Sequence, residues 1–163
     1  MNNQNQINYS NQSQNVSYGM SQTHPKYSPL LVALASLGFL DALFLSYEHF
    51  MGLIPPCTTG FQCDLVTSSS YSIIFGIPVP YLGLLYYLTL FIGALLILEN
   101  KNAQKILKYL LLVSGVGFVG SLYFTYIQAF VLNAWCLYCI FSAIITTIFF
   151  ATTLYINKKV QIN

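Results

Sequence analysis

The sequence predicts an all-α membrane protein, a bundle of four transmembrane helices. Hydrophobic residues make up 56% of the 163-residue chain and charged residues only 6%, whereas a soluble domain carries about 25% charged residues. In addition, four apolar runs each approach the roughly 20 residues that a helix needs to cross the hydrocarbon core. These runs are 30–50, 81–98, 106–130 and 135–156. The net charge of only +2 and the lack of arginine argue against a nucleic-acid-binding protein.

The segments that flank these runs are polar. Residues 1–28 are rich in Asn, Gln and Ser, and they bury too little apolar surface to offset the entropy lost on ordering, so we predict a disordered tail. The transmembrane domain then covers 29–157, and 158–163 forms a short cytoplasmic tail. Proline starts or stops helices, and all six prolines are predicted to lie outside the spans: Pro25, Pro29, Pro55, Pro56, Pro78 and Pro80.

The lysines predict the topology. Lys26 precedes the first run, and Lys158 and Lys159 follow the fourth. The other three lie between the second and third runs: Lys101, Lys105 and Lys108. With four spans, all these positions fall on one side of the cell membrane, which the positive-inside rule makes cytoplasmic together with both termini. The loop 51–80 is then extracytoplasmic, and its apolar second half predicts a cap lying on the membrane.

All four cysteines belong to that extracytoplasmic face, where disulfides form readily. Cys136 and Cys139 form a Cys-x-x-Cys pair at the start of the fourth run, where the N-terminal end of a helix lowers a thiol pKa. Cys57 and Cys63 lie on the long outer loop. We therefore predict a redox relay, in which the mobile loop pair exchanges disulfides with the pair at the membrane interface. A lipid-soluble oxidant then oxidises the interfacial pair.

Two other uses of these cysteines stay open at this point. In the first, the protein is a non-enzymatic membrane protein and both pairs are structural disulfides, although a bridge across two residues constrains little of the unfolded chain. In the second, the cysteines bind zinc, but the spacing of Cys57 and Cys63 exceeds the usual short ligand spacing. We therefore predict no metal site. Haem attachment requires His after the second cysteine, and Ile140 stands there.

Longer motifs surround the cysteines. They read Cys57-x5-Cys63-Asp64, Ser68-Ser69-Ser70-Tyr71-Ser72, Phe75-Gly76-Ile77-Pro78, Leu82-Gly83-Leu84 and Trp135-Cys136-Leu137-Tyr138-Cys139. Over residues 30–156 this layout resembles the vitamin K epoxide reductase (VKOR) family in its prokaryotic form, without the thioredoxin-like domain that many bacterial members carry. The cysteine order differs from that of the four-helix disulfide oxidases whose Cys-x-x-Cys lies in the first outer loop.

The resemblance implies a four-helix bundle around a quinone site, capped by the outer loop and a half-helix. It also implies a thiol:quinone oxidoreductase that oxidises a separate thioredoxin-fold protein outside the cytoplasm and supports disulfide bond formation. Carried onto this chain, Cys57 exchanges with the partner, and Cys63 passes electrons to Cys136 through a transient disulfide. Cys139 then reduces ubiquinone or menaquinone. We expect a monomer in the lipid bilayer.

The predicted quinone contacts are Cys139, Ser72, Trp135 and Phe75. In the vertebrate enzymes an Asn on the cap and a Tyr after the second cysteine contact the ring. The resemblance matches these positions to Ser72 and Ala143 here. It therefore supports plain quinone reduction and leaves epoxide reduction open.

Three titratable residues of the first run complete the prediction. An acid within a membrane span is a functional candidate, but for Asp41 we favour a structural helix contact over proton transfer, because the redox face lies farther outward. Glu48 and His49 lie near the outer end of the run. They are either proton carriers for the quinone or an interfacial pair in contact with water.

Overall fold

Four helices of the described chain are long and apolar enough to cross a membrane, which confirms the predicted fold class. The computed structural model describes residues 24–99 and 103–162, and the prediction of a disordered tail over 1–23 lies outside them. In chain order the helices are α1 (His24–Met51), α2 (Cys63–Thr67), α3 (Val79–Leu98), α4 (Ala103–Tyr126) and α5 (Leu137–Ile162). A π-helical turn, Ile127–Val131, continues α4.

The helix limits differ from the predicted ones at both ends of the chain. Helix α1 begins at His24, so residues 24–28 are helical and do not belong to the predicted tail. Helix α5 begins at Leu137 and continues to Ile162, through most of the predicted cytoplasmic tail. Polar residues at a helix end remain helical when their backbone groups keep intrahelical hydrogen bonds, so hydropathy alone underestimates helix length.

The prediction that every proline lies outside a span is wrong for two of them, because the spans Tyr27–Met51 and Val79–Leu98 contain Pro29 and Pro80. Pro25 lies in α1 but precedes its span. Pro29 lies inside α1, and Pro80 is the second residue of α3. Proline is tolerated in the first turn of a helix because the N–H that it lacks has no intrahelical partner there. Pro29 lies one turn further in, where it removes a single hydrogen bond from a helix of 28 residues.

The four long helices form a closed ring. Helix α3 packs on α1 and α4, and α5 packs on α4 and α1. Their shared core is apolar and includes Leu90, Leu110 and Phe149, each fully buried. Large apolar side chains such as Leu112 and Val116 remain exposed on the outside, as expected for surfaces that face lipid rather than water.

Two glycines let α3 approach its neighbours closely. Gly38 on α1 lies against the ring of Tyr87, and Gly117 on α4 lies against the ring of Tyr86. The two tyrosine rings contact each other edge to face, with centroids 5.0 Å apart. The pair therefore fills the space between α1 and α4, and any side chain at either glycine would overlap a ring.

An irregular cap covers the end of the bundle between α1 and α3. After α2 it contains a 3₁₀ turn (Ser70–Ser72) and a two-stranded hairpin, in which β1 (Ile73–Ile74) pairs with β2 (Ile77–Pro78). The hairpin turn places Phe75 at φ 50° and Gly76 at φ 80°. The sequence predicted the cap but not this hairpin, which is too short for a periodic pattern.

We predict that Gly38→Ala destabilises the bundle by about 1–3 kcal/mol, the usual cost of overpacking. The Tyr87 ring cannot swing aside freely, because its hydroxyl donates to the Ser142 carbonyl at 3.0 Å and contacts the Thr146 hydroxyl at 2.9 Å. Gly120→Ala is the matched control, since a Cβ at Gly120 meets nothing within 4 Å. Thermal unfolding in detergent compares the two variants, and equal midpoints would contradict the packing assignment.

Candidate redox site

The Cys-x-x-Cys pair forms the first turn of α5. The N–H of Ile140 donates to the Cys136 carbonyl at 3.1 Å, so Cys136 occupies the N-cap position of the helix. The backbone N–H groups of Tyr138 and Cys139 lie beside the Cys136 sulfur. The two thiols are free, with Cys136 buried and Cys139 partly buried.

These contacts make Cys136 the acidic member of the pair. A hydrogen bond from the Cys139 thiol is the main cause, and together with the two backbone N–H groups it lowers the pKa of Cys136 to about 7. Burial and the nearby Asp41 carboxylate oppose the shift. At neutral pH a substantial fraction of Cys136 is therefore thiolate, the reactive form in disulfide exchange.

The loop cysteines form a disulfide, Cys57–Cys63, with their Cα atoms 6.0 Å apart. Cys63 begins α2 and is fully buried. Cys57 is half-buried and follows the exposed Pro56. The disulfide thus has one sulfur near the outer surface and the other in the protein interior.

A backbone hydrogen bond brings the interior end of this disulfide to the Cys-x-x-Cys turn. The N–H of Gln62 donates to the carbonyl of Trp135 at 2.9 Å. Each of these residues immediately precedes a fully buried cysteine, Cys63 in one segment and Cys136 in the other. The two cysteines are consequently neighbours across the contact between the cap and α5.

A second hydrogen bond holds the outer end of the loop. The Tyr138 hydroxyl donates to the Pro56 carbonyl at 2.9 Å. Pro56 precedes Cys57, so both cysteines of the loop disulfide have a neighbouring residue bonded to the segment 135–139.

Beneath the cap lies a cavity of about 380 Å³, within the range of small-molecule sites. Cys139 and Ser72 line it, so the structure brings together two of the four predicted quinone contacts. Phe75 and Trp135 are not among the lining residues. Phe75 is fully exposed at the tip of the hairpin and Trp135 is 41% exposed, so neither is placed to contact a molecule in this cavity.

The cavity also contains titratable side chains of α1. Both Asp41 and His49 line it, whereas Glu48 does not. The sequence favours a structural role for Asp41 because the redox face is expected to lie farther outward. In the structure, however, Asp41 lines the same cavity as Cys139, so its distance from the redox face does not exclude proton transfer.

The site contains a polar residue, Gln128, that the sequence does not predict as a site residue. Gln128 is 4% exposed, lines the cavity and accepts a hydrogen bond from the N–H of Cys136 at 2.9 Å. The signal was present as a single amide within the apolar run 106–130. The contact with Cys136 could not be predicted, because Gln128 lies on the π-helical turn. Such a turn changes which side chains face the bundle interior.

The bundle has membrane-spanning helices, a Cys-x-x-Cys pair at a cavity and a disulfide beside that pair. These features define a class of protein, the membrane oxidoreductases with redox cysteines. The model of the Vitamin K epoxide reductase family matches residues 29–154. The chain belongs to this family. A comparison with the curated proteins finds no match. Family membership disfavours the alternative of a non-enzymatic membrane protein.

The ionisation of Cys136 can be measured directly. In a fully reduced Cys57→Ser/Cys63→Ser chain under anaerobic conditions, we predict a rise in thiolate absorbance near 240 nm with a midpoint at pH about 7. Adding Cys139→Ala moves the midpoint upward, because it removes the main hydrogen bond to the sulfur. Cys139→Ser is the control, since its hydroxyl still donates. An unchanged midpoint in the alanine variant would contradict the assignment.

Proposed function

We propose that the protein is a thiol:quinone oxidoreductase that oxidises a separate thioredoxin-fold protein outside the cytoplasm. Electrons pass from that partner to Cys57 and Cys63, then to Cys136 and Cys139, and finally to a quinone of the membrane. The proposal combines the family membership with the geometry of the four cysteines. Ubiquinone and menaquinone are both suitable acceptors.

The observation that carries this electron path is the hydrogen bond between Gln62 and Trp135. It places the two buried cysteines, Cys63 and Cys136, side by side and leaves Cys57 on the outer side of the loop. Exchange with a large soluble protein requires an accessible sulfur, and exchange between the pairs requires a short approach inside the protein. Cys57 and Cys63 meet these two requirements separately.

Electrons pass between the two cysteine pairs by thiol–disulfide exchange. The partner dithiol reduces Cys57–Cys63 and is released as a disulfide. The Cys63 thiolate attacks Cys136 of an oxidised Cys136–Cys139 pair and displaces the Cys139 sulfur, and Cys57 then attacks Cys63. The products are a Cys57–Cys63 disulfide and a Cys136/Cys139 dithiol, which are the oxidation states in the structure.

The residues of the cavity fit a quinone. The cavity is mostly apolar, opens among the membrane-spanning helices and presents Cys139 together with a few polar groups. A quinone supplies, when bound, an acceptor for two electrons and two protons. Oxidation of the Cys136/Cys139 dithiol to the disulfide releases that number of each. Asp41 and His49, as titratable lining residues, are suited to carry protons within the cavity.

The orientation follows from the lysines. The cap and the four cysteines lie at one end of the bundle, whereas four described lysines lie toward the opposite ends of α4 and α5: Lys105, Lys108, Lys158 and Lys159. By the positive-inside rule the cap then faces the extracytoplasmic side, where thioredoxin-fold partners exchange disulfides. One chain supplies all four cysteines and the cavity, so a monomer is sufficient for the proposed activity.

The cysteine path is tested by crosslinking. In Cys57→Ser/Cys139→Ser only Cys63 and Cys136 remain, and we predict that mild oxidation joins them nearly completely, because the Gln62–Trp135 bond holds them adjacent. The matched control is Cys57→Ser/Cys136→Ser, which leaves Cys63 and Cys139 and should crosslink far less. Peptide mass spectrometry of the non-reduced proteins gives both yields. Equal yields would argue against a specific Cys63–Cys136 exchange.

The overall reaction is tested by anaerobic mixing of the purified chain with a reduced thioredoxin-fold oxidase and either ubiquinone or menaquinone. Loss of quinone absorbance should require the chain, and Cys139→Ser should reduce the rate by several orders of magnitude, as expected when a reacting group is lost. Gly120→Ala, in which the added Cβ meets nothing within 4 Å, serves as the control. Quinone reduction that persists in Cys139→Ser would refute the assignment of Cys139.

A further inference from the structure

Several hydroxyl groups line the cavity, but most have already donated their hydrogen. Ser72, the position matched to the vertebrate Asn, donates to the Ser69 carbonyl at 2.7 Å. Ala143, the position matched to the vertebrate Tyr, has no polar group. Three more lining residues donate to main-chain carbonyls within the preceding turn: Thr67, Ser69 and Thr125. These four hydroxyl groups have no hydrogen left for a carbonyl oxygen in the cavity, which would have to bond to another donor of the lining.

Gln128 provides such a donor. Its side-chain oxygen accepts the Cys136 N–H at 2.9 Å, and its backbone carbonyl accepts the Ala134 N–H at 3.0 Å. Because an N–H must face the oxygen of an amide, the contact with Cys136 fixes which end of the side chain is the NH₂ group. Among the described residues, none accepts a hydrogen bond from that NH₂ group, and it is not sealed inside the protein.

The surroundings of the Gln128 NH₂ group favour a hydrogen bond to a ligand. The Gln128 side chain is nearly fully buried yet lines the cavity. An amide hydrogen without a protein partner at the wall of a mostly apolar cavity makes fewer hydrogen bonds than it would in bulk water. A ligand with a carbonyl oxygen at this point of the cavity restores one of them.

We propose that Gln128 is the hydrogen-bond donor for a carbonyl oxygen of the quinone, with its amide oriented by the N–H of Cys136. This inference rests on the proposed function and deepens it. The same side chain contacts the Cys136 backbone and the ligand, so it sets the position of the ligand relative to the redox pair. Gln128 binds the acceptor and takes no part in the thiol exchange.

Binding is measured without turnover on the fully oxidised chain, which has no thiol to donate electrons. Trp135, the only tryptophan, precedes Cys136, and quenching of its fluorescence by a short-chain ubiquinone or menaquinone reports the dissociation constant. Gln128→Met, of similar size but without a donor, should bind about tenfold more weakly, the effect of one lost hydrogen bond in a buried site.

Gln128→Glu distinguishes ligand binding from the contact with Cys136. Its carboxylate still accepts the Cys136 N–H, but it donates only when protonated. We expect near-parental binding at pH 5 and a loss of affinity as the carboxyl ionises toward pH 9, relative to the parent chain at each pH. The parent comparison corrects for the other titratable groups that line the cavity of the oxidised chain: Asp41, His49, Tyr71, Tyr87 and Tyr138.

A spectroscopic measurement makes the test independent of variant stability. With a carbonyl-labelled quinone bound, the infrared C=O band should lie at lower frequency in the parent chain than in hydrocarbon solvent. In Gln128→Met it should return toward the solvent value. An identical band in both proteins, or a Gln128→Glu affinity with the pH dependence of the parent, would overturn the inference. Failure of the parent chain to quench with either quinone would instead refute the proposed quinone function.

Discussion

The redox architecture depends on one hydrogen bond between backbones, from the N–H of Gln62 to the carbonyl of Trp135. Without it only the Tyr138–Pro56 hydrogen bond, at the Cys57 end of the loop, would join the cap to the Cys-x-x-Cys turn. With it, two segments more than 70 residues apart in the chain become adjacent at their cysteines. A backbone contact suits this task, because it constrains the main chain on both sides while the sulfurs remain free to exchange partners.

The four cysteines differ in environment, and these differences give the proposed path a direction. Cys57 is half-buried, whereas Cys63 and Cys136 are fully buried. The hydrogen bonds at the N-cap lower the pKa of Cys136 to about 7, which stabilises the reduced form of its pair. Stabilisation of the dithiol raises the reduction potential of this pair. It therefore favours the proposed transfer of electrons from the loop pair toward the cavity that contains Cys139.

Much of this could be predicted from the sequence. The low charge and the four apolar runs were sufficient to predict the four-helix bundle. The cysteine motifs were sufficient to predict the family. The limits of α1 and α5 were not predictable, because hydropathy reports on lipid contact and not on where backbone hydrogen bonds end. The placement of Phe75 was not predictable either, since its exposure depends on a hairpin of only four paired residues. The place of Gln128 in the site was not predictable, because it depends on a π-helical turn that no periodic pattern indicates.

The central claim is that electrons move from the loop pair to the Cys136–Cys139 pair within one chain. It is tested most directly by adding one equivalent of a dithiol reductant to the fully oxidised protein, without quinone, and mapping the free thiols by alkylation and mass spectrometry. The account predicts labelling of Cys136 and Cys139 with an intact Cys57–Cys63 disulfide. Labelling confined to Cys57 and Cys63, with Cys136–Cys139 still oxidised, would contradict it.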